Sequence, residues 1–465
     1  MTEGGTGVAP KLAVGLGLLM FASLTRLAIP VSGLPAEPMT LILVVVVLAT
    51  VIAGLRRTIR LEFGAVEIAM LGYLLWNVVS VVLPHEFPAV DPRTGADVVV
   101  YRFILTGTVI PFVGFILGKA LLTGESRIRR MMVLLMIPAA YSGLVSILQF
   151  TGPTSLVWPR YIVDTPSYPD RAVGIFNQPV ANGLVMVSGF MMAMFLIADR
   201  RAGRSSQFVL ASSAVICLLG IYLTRTRSVW LALLFGVLLC AICARRARRG
   251  FIATILVAAV FVGFTWTTFA SSDRQAGGVG SSSEVEDRLN IIATALWATE
   301  QEPIFGWGIG RFAQVNTEHH QQYSPDINFR RGFAYASHEN DLGIAAELGV
   351  IGLALWWIIL FLLLARLIRA LRKLPDEGLA GRVLGLLALS MFVSWIACGF
   401  TLDLRFFDFA NILTFVLVGA AVGTADGTAA ARRSEPVEPR RAQRSNRADA
   451  PSPMRDPAYG RDATS

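Results

Sequence analysis

The side chains most able to do chemistry are one histidine and a few arginines beside apolar runs. His338 stands in Tyr335-Ala-Ser-His-Glu-Asn-Asp-Leu342. A neutral imidazole that titrates near neutrality is well suited to take a proton from a hydroxyl. Ser337 reads as an N-cap, which would set His338 in the first turn of a helix beside unbonded amides and the positive end of its dipole. Arg225 and Arg227 lie in Thr224-Arg-Thr-Arg-Ser-Val-Trp230, at the head of another apolar run, and Arg288 opens a half-apolar segment. Guanidinium groups hold phosphate oxygens in bidentate fashion. A base and such cations together suggest a hydroxyl attacking a carbon whose leaving group is a phosphate or pyrophosphate. The bland alternatives are snorkelling anchors for Arg225 and Arg227, a solvated helix face for Arg288 and a structural role for His338. His319, His320 and His338 share no metal-ligand spacing, so neither a metal nor a cofactor is expected. Cys217, Cys240, Cys243 and Cys398 all fall inside apolar runs and read as packing.

The elements that must position these residues follow from composition. Of 465 residues, 54% are hydrophobic and only 16% charged, whereas soluble domains carry about a quarter charged residues. An all-α polytopic membrane protein is expected. Twelve segments approach the length of a bilayer span, at 12–30, 38–55, 66–84, 103–122, 131–150, 180–198, 208–224, 228–244, 251–270, 349–365, 383–402 and 408–424. The first is long and lacks a convincing cleavage site, so it reads as a retained span rather than a signal peptide. The net charge of +9 matters through its placement. Short loops after spans 2, 4, 6, 8 and 10 hold 18 Lys and Arg, and the alternate short loops hold 7. The positive-inside rule then puts both termini, including residues 1–11, in the cytoplasm. Residues 425–465, rich in Arg, Pro, Ser and Ala, read as a disordered basic cytoplasmic tail.

Residues 271–348, between spans 9 and 10, form one large extracytoplasmic loop, far longer than an ordinary connection. After a flexible stretch from Gly277 to Ser283, Ser283 and Glu286 have capping-box spacing. Val285, Leu289, Ile292, Ala295, Leu296 and Thr299 then recur at helical spacing, and Pro303 ends the helix. Gly306, Gly308 and Gly310 follow in Phe305-Gly-Trp-Gly-Ile-Gly-Arg-Phe312 without a strand or a Gly-Lys-Ser/Thr, which reads as a tight turn and not a nucleotide loop.

In this order the motifs resemble the O-antigen ligase and O-antigen polymerase superfamily of bacterial envelope enzymes, over roughly residues 100–425. His338 followed after ten residues by Gly349 is similar to the family's His-x10-Gly element. Glu286-Asp-Arg-Leu289 leading to Pro303-Ile-Phe-Gly306 and Gly308 is similar to its Arg-initiated helix and Pro-x-x-Gly-x-Gly turn. Thr226-Arg-Ser-Val-Trp230 resembles a Ser/Thr-Arg element, and Arg171-Ala-Val-Gly-Ile-Phe-Asn177 with Asn182 resembles a Gly-x-Phe-Asn segment. The chain departs from the pattern in two places: Arg288-x3-Ile292 replaces Arg-x3-Leu, and His338-Glu339-Asn340 replaces a His-Asn pair, which leaves the role of Asn340 open.

The resemblance implies transfer of a glycan from an undecaprenyl-pyrophosphate carrier to a glycan, lipid or protein hydroxyl on the outer face of the cytoplasmic membrane, without a metal. His338 would activate the acceptor, Arg227 and Arg288 would bind the pyrophosphate, and Arg225 would support them. Gly349, Gly306, Gly308 and Asn177 would shape the backbone. A ligase and a repeat-unit polymerase share this donor chemistry. A twelve-span transporter is the more distant alternative, although related halves and charges deep in the spans are not evident apart from Arg26. Nothing in the charge pattern calls for nucleic acid.

Overall fold

The computed structural model describes residues 8–23, 29–31, 34–36, 38–59, 61–165, 168–199, 201, 203–273, 278, 280, 282–329 and 332–434. Arg26, Gly277 and the tail from residue 435 lie outside them. The chain is 75% helical. Its main helices are α1 (Val8–Ala22), α2 (Pro38–Leu55), α3 (Ala65–Val82), α4 (Val100–Leu121), α5 (Glu125–Thr151), α6 (Pro179–Ala198), α7 (Arg204–Leu223), α8 (Arg227–Cys243) and α9 (Arg248–Phe264). They continue with α10 (Ser282–Gln301), α11 (Phe312–Glu318), α12 (Asn340–Lys373), α13 (Leu379–Gly399) and α14 (Asp408–Ser434). Two small antiparallel hairpins, Ile29–Val31 with Leu34–Ala36 and Val90–Asp91 with Ala96–Asp97, are the strands among the described residues.

Eight described helices, α3 to α7 and α12 to α14, are long and apolar enough to cross a membrane, and α1, α2 and α8 are shorter apolar helices. Burial sorts them. In α6 and α14, 89% of the apolar window is covered by protein, against 33% in α3, α7 and α12. The outer helices present Val45, Ile68, Val82, Phe208, Val257 and Phe361 at 65% exposure or more, a surface that water would not tolerate and lipid would. At the centre α4 and α14 meet through paired small residues. A Cβ on Gly118 would stand 2.4 Å from the Val416 carbonyl oxygen, and one on Gly419 would stand 2.1 Å from that of Phe115. Only glycine permits that approach between helix backbones.

Several boundaries differ from the sequence expectation. The first span, set at 12–30, is helical over Val8–Ala22, and Ile29–Val31 is already a strand. The span set at 251–270 breaks at Thr265. The last helix runs to Ser434 instead of ending at 424, so the start of the basic tail is ordered. Arg366 pairs with Asp426 at 2.8 Å, and Ala425 packs beside Ala370 and Leu374. These contacts hold small, weakly apolar residues that a hydropathy window passes over.

Charged residues gather at one end of α5, α6, α8 and α12. Arg129 pairs with Asp199, Arg201 with Glu125 at 3.1 Å and Arg246 with Glu377 at 3.0 Å, while Glu125 also accepts from the amides of Leu379 and Ala380. The opposite ends of α6 and α8, about 30 Å away for helices of this length, carry the candidate site.

Candidate functional site

The site is built at the starts of α6, α8 and α10. Gln178 caps α6 by accepting from the amides of Val180 and Ala181, and Pro179 takes the first helical position. Ahead of that cap the chain is pinned by Asn182. Its side chain donates to the Ser146 hydroxyl at 3.0 Å and the Ala172 carbonyl at 3.1 Å, and accepts from the Ser142 hydroxyl at 2.6 Å. A Cβ on Gly174 would sit 2.3 Å from both the Asn182 and Ser142 oxygens. This is why glycine opens the Gly-x-Phe-Asn segment. Asn177 closes the segment in the left-handed region at φ 49°, a conformation asparagine accepts better than most residues. The Ala172 amide donates to the Leu223 carbonyl at 2.9 Å, which fastens Arg171 beside the end of α7.

One short link later, Arg225 is also left-handed, at φ 47°. Its guanidinium donates to the Asp170 carbonyl at 2.9 Å and stands 4.9 Å from the Phe150 ring centre. Burial lowers its pKa below the ordinary arginine value. Arg227 is the first residue of α8, whose start has no side-chain cap. The leading amides of such a helix have no intrahelical partner and favour an anion. Arg171, Arg225, Thr226, Arg227, Ser228, Glu284, Val285 and Arg288 line a single pocket. Arg171 and Glu284 form an ion pair there at 2.9 Å. The structure therefore brings together the three arginines picked from sequence and adds Arg171, which the sequence reading placed in a motif without giving it a role.

His338 does not line that pocket. It precedes α12 in the left-handed region at φ 51°, with its ring 6.0 Å from that of Tyr335. The expectation that Ser337 caps the helix is corrected. Glu339 is the N-cap, accepting from the Leu342 amide, while the Ser337 hydroxyl donates to the Glu339 carbonyl at 2.6 Å. His338 is thus one residue outside the helix, not in its first turn. The Glu339 side chain reaches the amide three residues on, so it replaces the shorter serine as cap. Of the four non-glycine residues with positive φ among the described residues, three are Asn177, Arg225 and His338. Backbone in that region is costly for such residues and concentrates at functional sites.

Helix α10 connects the two places. It carries Arg288, and its Ile291, Ala295 and Ala298 pack with Ala346 of α12. Of the apolar face expected from Val285, Leu289, Ile292, Ala295, Leu296 and Thr299, Ala295 is buried, but Val285 and Leu296 are 42% and 48% exposed. The buried face includes Asn290 and Thr294. Asn290 donates to the Ile327 carbonyl at 3.1 Å and accepts from the Tyr323 amide at 2.8 Å, and Thr294 accepts from the Gln321 amide at 2.9 Å. Polar side chains that satisfy a covering loop are invisible to an apolar-periodicity search. Ser283, expected to cap α10, is inside it.

The glycine turn clasps the break in α12. Gly349 has φ 67° and ψ −175° and ends the first segment of that helix. The amides of Trp307 and Gly308 donate to the carbonyls of Ala346 and Glu347, each at 2.9 Å, and the Val350 amide donates to Pro303 at 2.8 Å. A Cβ on Gly306 would lie 2.4 Å from the Glu347 carbonyl carbon, and one on Gly308 would lie 2.6 Å from the His85 ring. Below the turn is a buried ionic group missed in the sequence, Arg405 with Asp403 and Glu347. Burial opposes the charge on Arg405, but the two carboxylates outweigh it and raise its pKa. Asn340, left open by sequence, accepts from the Leu404 amide at 3.2 Å and ties α12 to the same loop. His319 packs against the rings of Phe87, Trp297 and Trp307. No group of three or more His, Cys, Asp or Glu among the described residues is placed to hold a metal ion.

A helical membrane protein with an arginine-lined pocket at one end of its bundle is the class these features define. Residues 212–357 match the family model described as O-antigen ligase. This match supports membership of the O-antigen ligase superfamily and, at family level, an O-antigen-ligase-like glycan transferase, a family that implies a lipid-linked glycan donor and an acceptor. A comparison with curated proteins finds no match. The matched segment runs from α7 through α8, α10 and the glycine turn into α12, and includes Arg225, Arg227, Arg288, His338 and Gly349.

Proposed function

We propose that the protein transfers a glycan from an undecaprenyl-pyrophosphate carrier to an acceptor hydroxyl on the outer face of the cytoplasmic membrane. The observation that carries this reading is the convergence of Arg171, Arg225, Arg227 and Arg288 in one pocket at the starts of α8 and α10. Arg227, Arg288 and Arg225 bind the diphosphate, with the leading amides of α8 adding to the field. His338 takes the proton of the acceptor hydroxyl as its oxygen bonds to the anomeric carbon. The bond from that carbon to the diphosphate oxygen breaks, and its electron pair leaves on the diphosphate, where the arginines stabilise the growing charge. The proton on His338 then passes to solvent.

In this reading α1, α2, α8 and α9 join the eight longer helices to make twelve spans, and 271–348 is an extracytoplasmic loop. The belt of Glu125, Asp199, Arg246 and Glu377 faces the cytoplasm with both termini, as the basic bias of the short loops requires. The test is reconstitution of purified protein in liposomes with a defined polyprenyl-diphosphate glycan and, separately, a lipid acceptor or a second copy of the repeat. Transfer to the lipid marks a ligase and chain growth marks a polymerase. Absence of any transfer alongside uptake of a small solute would favour a transporter.

A further inference from the structure

Glu284 has no place in the mechanism above, yet it sits in the middle of it. It is an acid in an arginine pocket, paired with Arg171 at 2.9 Å, and both side chains are nearly buried at 13% and 11% exposure. The space left among the lining side chains is about 30 Å³, room for a water or two and far too little for a diphosphate. Either the pocket never takes one, or the carboxylate stands where a phosphate goes.

The charges favour the second alternative. Four arginines and one glutamate line the pocket, so four positive charges less one negative leave a net of +3. A diphosphate that links a lipid to a sugar carries one negative charge on each phosphorus. When the sugar leaves, the freed terminal phosphate gains a further charge, so the pocket holds the leaving group more tightly than the donor. That difference accelerates the chemical step and slows release. A carboxylate able to re-take one arginine offsets the second effect, because a buried acid without its partner is costly.

Resting on the reading of this pocket as a diphosphate site, the geometry points to Glu284 as a built-in competitor for Arg171. It holds Arg171 before the donor arrives, yields to the diphosphate, and pairs again with Arg171 to expel the lipid diphosphate.

The experiment is calorimetric titration of full-length protein in nanodiscs with inorganic pyrophosphate, together with steady-state inhibition of transfer by the same anion. Glu284→Gln is expected to bind pyrophosphate about tenfold more tightly than wild type, with both KM for donor and kcat reduced. Arg171→Gln is expected to bind it more weakly. Glu284→Asp keeps the charge and should stay near wild type, which separates a charge effect from a folding defect. Pyrophosphate binding in wild type that Glu284→Gln leaves unchanged or weakens would overturn the inference alone, as would Glu284→Asp behaving like Glu284→Gln. No pyrophosphate binding in wild type, with no effect of Arg227→Ala, would overturn the diphosphate reading and this inference with it.

Discussion

Arg405 donates from Nη1 to Oε2 of Glu347 at 2.6 Å, and this contact joins the loop between α13 and α14 to the first segment of α12. Both side chains are 5% exposed or less. The other Glu347 oxygen accepts from the Phe312 amide at 3.1 Å, the Thr106 hydroxyl donates to the Arg405 carbonyl at 2.7 Å, and Asp403 takes two further guanidinium hydrogens. Four chain segments, at Thr106, Phe312, Glu347 and Arg405, are thereby tied together, the third of them in the helix that follows His338.

Breaking that pair leaves a buried charge without its partner. Arg405→Gln, which leaves two buried carboxylates unpaired, should destabilise the protein by about 3–5 kcal/mol, read as a fall in thermal midpoint in detergent, and Glu347→Gln by less, since Arg405 keeps Asp403. Arg405→Met with Glu347→Leu should cost less than Arg405→Gln alone, because only the Asp403 carboxylate is then left uncompensated instead of two. Equal losses in the double and single variants would contradict the pairing.

Backbone shape at the clasp gives a second expectation. Gly306→Ala and Gly349→Ala place a methyl group within 2.4 Å of backbone atoms, at positive φ in both cases. Each should lower the amount of folded protein recovered from membranes. Gly203, with ordinary φ and nothing within 4 Å of an added Cβ, is the matched control and should accept alanine. Normal yield of Gly349→Ala would show that the clasp tolerates rearrangement.

Glu339 predicts a pH effect. Burial raises its carboxyl to about 6 from 4.5, against the pull of the amides it accepts from. An acid whose folded pKa exceeds its unfolded one binds its proton more tightly in the native state. Its favourable contribution is full below 4.5 and is lost as the pH rises through 6. Thermal stability should therefore fall between those values in wild type and fall less in Glu339→Gln, whose amide oxygen still caps Leu342. Parallel pH curves for the two proteins would contradict this assignment.

Arginine geometry in the pocket can be separated from its charge. Arg227→Lys keeps the cation but loses the planar fork, and should lose about 10- to 100-fold in donor turnover, with Arg227→Ala losing more. Equal activity of the lysine variant would mean that Arg227 acts only through the pocket's overall field.

Much of this was legible in the sequence because the signals were local. Arg225, Arg227 and Arg288 sit at helix starts beside apolar runs, and Gly306, Gly308 and Gly349 mark backbone that only glycine tolerates. What escaped was non-local. Arg405 reads as one more charged loop residue until folding brings Glu347 to it, 58 positions away. Glu284 reads as part of a helix start until Arg171, 113 positions earlier, is found against it. The cap at Glu339 was missed because serine is the commoner choice, and part of the buried face of α10 was missed because Asn290 and Thr294 satisfy a loop rather than an apolar core.

The proposed chemistry turns on His338, which activates the acceptor for attack on a diphosphate-linked glycan. The most direct measurement is single-turnover transfer from a radiolabelled polyprenyl-diphosphate glycan by purified His338→Ala in liposomes, beside wild type and Arg288→Ala. His338→Ala should retain pyrophosphate binding but transfer at least about 100-fold more slowly, while Arg288→Ala should lose both. Wild-type transfer by His338→Ala would contradict this role of His338.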